Sequence, residues 1–116
     1  MARHEHLPIY KQGYELLQQA VSVTKDFPRE FKFTVGQRLR DEILQLLVLI
    51  YRANGQRDKV PVIVEILENI LVVELLIRLC HDMRILPKKH YAALVLLTES
   101  LARQAEGWKK SSAKLA

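Results

Sequence analysis

The sequence predicts an all-α fold, an antiparallel up-down bundle of four helices that uses the whole chain, residues 1–116. Apolar residues recur at steps of three and four over long windows, and no segment shows the sustained two-residue alternation of a half-buried strand. Prolines separate these windows. A chain of this length with 49% hydrophobic residues supports one core, which favours a single domain.

The first helix is predicted over residues 8 to 26 and the second over residues 35 to 54. Pro8 suits the first turn of a helix, where its missing N–H has no intrahelical partner to lose. Pro28 ends helical continuity after the first helix. Gly55 is expected to supply the left-handed residue that commonly follows a helix. Both helices carry an apolar stripe, as helices that face a core do.

The third helix is predicted over residues 58 to 84, with Pro61 in its first turn, and the fourth over residues 87 to 108, opened by Pro87. Short connections between successive helices make neighbours antiparallel. Residues 109 to 116 show no apolar periodicity, so we expect a frayed basic tail there.

The third helix differs from the others because no single polar side runs along its length. Glu65 and Glu74, for example, lie on opposite sides of a 100° helical wheel. Such a helix is expected to be buried on more than one side. Part of it, together with part of the second helix, therefore predicts a surface for self-association. The expected interface residues are Leu44, Val48, Val62, Val72, Val73 and Leu76.

The composition excludes several classes of protein. One cysteine, Cys80, excludes an internal disulfide framework, and the N-terminal residues lack the apolar segment of a signal peptide. Charged residues interrupt the most apolar stretch, which excludes a transmembrane helix and a membrane partner. We therefore expect a cytoplasmic protein. The net charge of +5 and the sequence pI of about 9.5 favour an anionic partner.

No set of residues predicts catalysis, a metal site or a cofactor. The segment His4-Glu5-His6 has no accompanying ligands at metal-binding spacing and is interpreted as a solvated arm. Cys80 and His81 are neighbours on a helix, so their side chains point about 100° apart and do not face one another. The isolated glycines form no phosphate-binding loop. The sequence therefore predicts a protein that is not an enzyme.

Basic residues gather at the predicted helix ends, and in residues 25 to 33 they alternate with phenylalanines. Cations beside aromatic rings are one way to hold unpaired nucleic acid. The alternative is that the phenylalanines cover the end of the bundle and the cations only solvate the loop. The candidate nucleic-acid or polymerase-binding residues are Lys25, Arg29, Lys32, Arg38, Arg40, Arg57, Lys59, Lys88, Lys89, Lys109 and Lys110.

Several short segments resemble a known family, in order, over about residues 7 to 110. They are Leu7-Pro-Ile-Tyr-Lys, Phe27-Pro, Phe33-Thr-Val-Gly-Gln-Arg-Leu-Arg, Ala53-Asn54 with the following Arg57-Asp-Lys, and Gly107-Trp108. Together they are similar to the accessory variability proteins (Avd) of diversity-generating retroelements. The segment that begins at Phe33 is also similar to a broader four-helix family encoded in 23S rRNA intervening sequences.

The resemblance implies a positively charged homopentameric barrel of four-helix protomers. It implies binding to the retroelement's reverse transcriptase and to RNA or DNA, without catalysis, in support of mutagenic copying of a template RNA. No motif in the chain reads bases, so no preference between RNA and DNA is predicted. The alternative is a structural oligomer of the intervening-sequence family that acts as a protein-interaction module. The third helix is more aliphatic than the resemblance to Avd proteins implies.

Overall fold

The computed structural model describes residues 3–115, which are almost entirely helical and contain no strand. Residues 1, 2 and 116 lie outside the described part. A short 3-10 turn, His4–His6, precedes five α-helices. They are α1 (Pro8–Thr24), the single-turn α2 (Arg29–Lys32), α3 (Val35–Gly55), α4 (Val60–Asp82) and α5 (Lys88–Lys114). The four long helices confirm the predicted all-α fold.

The four long helices stand at the corners of a square. α1 packs against α3 and α5, and α4 packs against the same two helices, so α1 and α4 are diagonal to one another. Successive long helices run in opposite directions, which makes α1 and α4 parallel. We call the end where α1 and α4 begin the lower end, and the end where they finish the upper end. The described chain measures 47 × 20 × 19 Å.

The core consists of aliphatic side chains from all four long helices. Leu16, Leu39, Ile66 and Leu101 are fully shielded from solvent, one from each helix. Burying one such side chain stabilises the folded state by roughly 1.5–3 kcal/mol. The core therefore accounts for the three- and four-residue periodicity of the sequence.

α4 ends in a Schellman motif whose left-handed residue is an arginine. Arg84 has φ 63°, its N–H donates to the His81 carbonyl at 2.9 Å, and the Ile85 N–H donates to the Cys80 carbonyl at 3.1 Å. Glycine usually occupies this position because a Cβ is strained there. The expectation that Gly55 adopts this conformation after α3 is wrong, since Gly55 is the last helical residue and its φ is not positive.

The end of the chain differs from the prediction as well. α5 continues to Lys114, so residues 109–114 are helical and not frayed. Lysine and alanine are good helix formers. Each residue that extends an existing helix also gains one backbone hydrogen bond, even where its side chain packs against nothing. The loss of apolar periodicity after Trp108 therefore marks the end of the buried face and not the end of the helix.

Candidate nucleic-acid and subunit interfaces

The fold collects the predicted basic residues at the two ends of the bundle. Seven lie at or near the upper end, directly after α1, on α2 and on the first turns of α3 and α5. Four lie at the lower end, where the α3–α4 connection meets the last turns of α5. The upper group is Lys25, Arg29, Lys32, Arg38, Arg40, Lys88 and Lys89, and the lower group is Arg57, Lys59, Lys109 and Lys110.

A cleft at each end shows that distant segments meet there. At the upper end a cleft of about 330 Å³ is lined by Lys25 of the α1–α2 connection and by His90 of α5. At the lower end a cleft of about 400 Å³ joins Arg57 and Lys59 to Ser112 of α5. The folded chain therefore brings Lys25 close to α5 at the upper end, and Arg57 and Lys59 close to the last turns of α5 at the lower end.

Arg40 has a structural role that the sequence did not reveal. Its guanidinium donates to the Thr24 hydroxyl at 2.7 Å, to the Lys32 carbonyl at 3.1 Å and to the Gln37 side-chain oxygen at 2.9 Å. These hydrogen bonds join the end of α1 and the end of α2 to α3. The half-buried guanidinium is therefore engaged within the protomer.

Lys59 caps the end of the preceding helix. Its ammonium donates to the carbonyl oxygens of Ala53, Asn54 and Gln56 at 3.2, 3.0 and 2.7 Å. The last carbonyls of a helix have no intrahelical partner and carry partial negative charge, so a cation is favourable there. Arg57, two residues earlier, is exposed and makes no ion pair within residues 3–115.

The other candidate cations are more available. Arg38 forms an exposed ion pair with Glu42 at 2.9 Å. Lys32 lies 6.0 Å from the centre of the Phe33 ring, and Phe33 is exposed. Among the described residues, no ion pair involves Arg29, the two lysines that open α5, or the lysines near its end. The upper end also contains Arg84, an exposed cation that is not among the predicted binding residues.

The predicted subunit interface is partly wrong. Val62 and Val73 are only 8% and 1% exposed and belong to the core. On a helical wheel they lie within about 40° of the core residue Ile66, on the same side of α4. Leu44 and Val48 are exposed, and two further candidates are half-buried, namely Val72 and Leu76.

The structure instead shows two separate apolar surfaces. The first, which we call the α4 stripe, lies on the side of α4 away from the core and contains Val64, Leu71, Leu75 and Leu79. The second, which we call the α1/α3 patch, contains Tyr14, Val21, Leu44 and Val48. Because α4 is diagonal to α1, the two surfaces lie on opposite sides of the bundle.

A carboxyl group lies beside the α4 stripe, in a groove that also contains an arginine. Glu74 lines this groove of about 460 Å³ between α4 and α5, together with Leu71, Leu75, Arg78 and Val95. Burial, and secondly the neighbouring Glu99 carboxylate, raise the pKa of Glu74 above its ordinary value. Within residues 3–115 no ion pair involves Glu74. Arg78, the cation in the same groove, pairs instead with Asp82 at 3.7 Å.

The Cys80 side chain is buried, and His81 packs against an aromatic ring. Burial raises the pKa of the Cys80 thiol to about 11, so the thiol is protonated near neutral pH. The His81 ring stacks on Tyr91, with ring centres 4.1 Å apart and planes 10° from parallel. In residues 3–115 no three His, Cys, Asp or Glu side chains converge as metal ligands. None of the described helices is both long and apolar enough to cross a membrane.

Comparison with known proteins gives one match that covers most of the chain. The sequence model of the bAvd-like family matches residues 7–112. No curated protein matches the sequence. The family match includes α1, α3, α4 and all of α5 except its last two residues, and therefore both basic ends and both apolar surfaces.

Proposed function

The chain belongs to the bAvd-like family of accessory variability proteins, and from this membership we propose that it is a non-catalytic accessory protein of a diversity-generating retroelement. In this role it binds the reverse transcriptase and the template RNA or its cDNA, and it supports mutagenic retrohoming. The family is of an accessory, non-catalytic type. The observation that carries the proposal is the match over residues 7–112.

The charge distribution supports binding to nucleic acid. Exposed cations gather at both ends of the bundle, whereas the sides are apolar or mixed in charge. Binding of this kind depends on phosphate contacts and is largely independent of sequence. The proposed site for nucleic acid is therefore the two basic ends, with a cytoplasmic location and no cofactor.

The two apolar surfaces support a closed assembly. They differ in composition and lie on opposite sides, so they fit a head-to-tail contact between copies, which generates a ring when the rotation closes. We propose a homopentamer, as the resemblance to Avd proteins implies. A ring repeats each basic end and so strengthens the positive field that a single chain produces.

Salt dependence tests the nucleic-acid part of the proposal. Affinity for a labelled single-stranded RNA is measured between 50 and 300 mM salt, concentrations on the order of those where phosphate contacts dominate. Replacing Arg29, Lys88 or Lys89 with alanine should lower the slope of log K against log salt by about one per lost contact. Arg103→Ala, which removes an exposed cation from the middle of α5, is the matched control and should leave the slope unchanged.

The second candidate function is a structural oligomer of the 23S rRNA intervening-sequence family that acts as a protein-interaction module. The α4 stripe favours it, because contact through aliphatic side chains persists at high salt. If the slope of log K against log salt is the same in all four variants and in the wild type, the result would support the protein-interaction module and not the nucleic-acid-binding protein. Capture of the purified reverse transcriptase at low but not high salt would support the accessory protein.

A further inference from the structure

The three phenylalanines that alternate with cations at the upper end have different surroundings. Phe27 is 5% exposed and belongs to the core, and Phe31 is half-buried and packs against the core. These two rings cover the end of the bundle. Phe33, in the connection from α2 to α3, is 63% exposed. Core packing therefore explains the first two phenylalanines and does not explain the third.

The backbone on both sides of Phe33 is held by hydrogen bonds. Before it, the Lys32 carbonyl accepts from the Arg40 guanidinium at 3.1 Å. After it, the Thr34 hydroxyl donates to the Glu30 carbonyl at 2.6 Å. A group displayed from a fixed backbone loses less conformational freedom when it binds a ligand than a group on a mobile loop does. The Phe33 ring is thus presented to solvent from an ordered corner of the chain.

Cations without ion pairs flank this ring. The Lys32 ammonium lies 6.0 Å from the centre of the Phe33 ring, and Arg29 is exposed on the same single-turn helix. Within residues 3–115 neither cation forms an ion pair, and α2 contains one carboxylate, Glu30. A cation at this distance from an exposed ring is held weakly. Lys32 can therefore bind a phosphate while a ligand covers the ring.

Tyr51, near the lower end of α3, is a ring of similar exposure with different surroundings. It is 60% exposed, but the adjacent Arg52 pairs with Glu65 at 2.9 Å. The His4 ring also packs edge-on against it, with ring centres 4.7 Å apart. Among residues 3–115 no pair of packed aromatic rings includes Phe33. Phe33 thus combines an uncovered ring with unpaired cations, whereas Tyr51 does not.

We infer that Phe33 is a stacking platform for one unpaired base of RNA or DNA, and that Lys32 and Arg29 bind the neighbouring phosphates. An aromatic ring stacks on the flat face of any base, so this contact needs no particular sequence. A base within a duplex must first be unstacked, which costs free energy. The platform therefore makes the upper end selective for single strands. This inference rests on the nucleic-acid part of the proposed function and adds the kind of strand that is bound.

Replacing Phe33 with leucine tests the platform, because leucine is apolar but cannot stack as a ring does. Phe33→Leu should weaken binding of a labelled single-stranded RNA about fivefold or more. It should change binding of the same RNA annealed to its complement by less than about twofold, and the slope of log K against log salt should stay the same, since the ring contacts no phosphate. Phe33→Tyr, which keeps an aromatic ring, should bind like the wild type. Tyr51→Leu is the matched control and should also bind like the wild type. Helical circular dichroism and light scattering show that each variant is folded and assembled as the wild type is.

Phe33→Trp reports the stacking contact directly, because a stacked base quenches indole fluorescence. Trp108, the one tryptophan of the chain, lies near the end of α5 and thus far from Phe33 along the bundle. Single-stranded RNA should quench the emission that Phe33→Trp adds to that of the wild type, and duplex RNA should not. An abasic oligonucleotide keeps the phosphates but has no bases. It should bind the wild type and Phe33→Leu equally.

The outcomes separate the platform from the proposed function. If Phe33→Leu binds single strands like the wild type, or loses as much affinity for the duplex, the platform is overturned and the nucleic-acid proposal stands. If Phe33→Leu binds RNA normally but captures less reverse transcriptase, the ring belongs to a protein contact and the platform is again overturned. A wild-type chain without salt-dependent RNA binding would overturn the nucleic-acid proposal and the platform together.

Discussion

The outer side of α4 and the two ends of the bundle differ in the chemistry of their exposed side chains. The α4 stripe combines highly exposed leucines, Leu71 at 68% and Leu75 at 66%, with nearby carboxylates. The ends carry most of the exposed cations that the sequence predicts as binding residues. Apolar contacts are little affected by salt, whereas phosphate contacts weaken steeply with it. The folded chain thus keeps its apolar surface on α4 apart from its basic surfaces at the two ends.

The largest expected effect distinguishes the two sides of α4. Ile70 and Leu71 are adjacent in sequence and have side chains of the same composition, but Ile70 is 1% exposed and Leu71 is 68% exposed. Ile70→Ala should lower the free energy of unfolding by about 2–5 kcal/mol, since it leaves a cavity in the core. Leu71→Ala should change it by less than about 0.5 kcal/mol in the dissociated protomer. Urea unfolding at low protein concentration measures both.

The same pair of variants should behave oppositely in assembly. Leu71→Ala should weaken association, because it removes apolar contact area from the α4 stripe. Ile70→Ala should not weaken the association of those chains that remain folded. Equal losses of folding stability in the two variants would contradict the assignment of the core side of α4.

Helix positions could be predicted from the sequence, but the side of α4 that faces the core could not be predicted fully. The starts of α1 and α3 at residues 8 and 35 agree with the structure, because proline and the onset of apolar periodicity mark them. On α4 apolar residues occupy nearly the whole circumference, so periodicity does not single out one face. The prediction that Val62 and Val73 lie at a subunit interface is therefore wrong, since both belong to the core.

The second prediction concerns the lower end of the bundle. There Lys59 donates to backbone carbonyls, whereas Arg57 forms no ion pair within residues 3–115. Lys59→Met keeps most of the side-chain volume but removes the ammonium that binds three carbonyl oxygens, and should cost about 1–2 kcal/mol of unfolding free energy. Arg57→Ala should cost less than about 0.5 kcal/mol. Thermal unfolding compares the two variants, each of which removes one positive charge.

These cations show where prediction of the site fails. The sequence places Arg40, Lys59 and Arg57 near helix ends, which the structure bears out. Whether a long side chain folds back onto a carbonyl depends on the backbone conformation of the connection between two helices. Apolar periodicity does not predict that conformation. Arg40 and Lys59 are thus engaged inside the protomer, whereas Arg57 is free of ion pairs within the described residues.

The third prediction concerns the upper end. Arg84→Gly should raise the free energy of unfolding by about 1 kcal/mol, because glycine adopts φ 63° without the strain that a Cβ causes. The same variant removes an exposed cation, so it should weaken RNA binding if the upper end contacts phosphate. If Arg84→Gly is more stable but binds RNA more weakly than the wild type, the arginine contributes its charge to binding at a cost in stability. Arg84→Ala, which lacks the charge but keeps the Cβ, should show the weaker binding without the gain.

The smallest effect concerns Glu74 and depends on pH. Since the folded chain raises the pKa of Glu74 above 4.5, mainly by burial and then by Glu99, the folded state binds this proton more tightly than the unfolded state. Its contribution is therefore most favourable below pH 4.5 and is lost as pH rises through the raised pKa. In the dissociated protomer, Glu74→Gln should raise stability at pH 7 by less than about 0.5 kcal/mol and give no gain at pH 4. A gain at pH 4 as large as the gain at pH 7 would contradict the raised pKa of the Glu74 carboxyl.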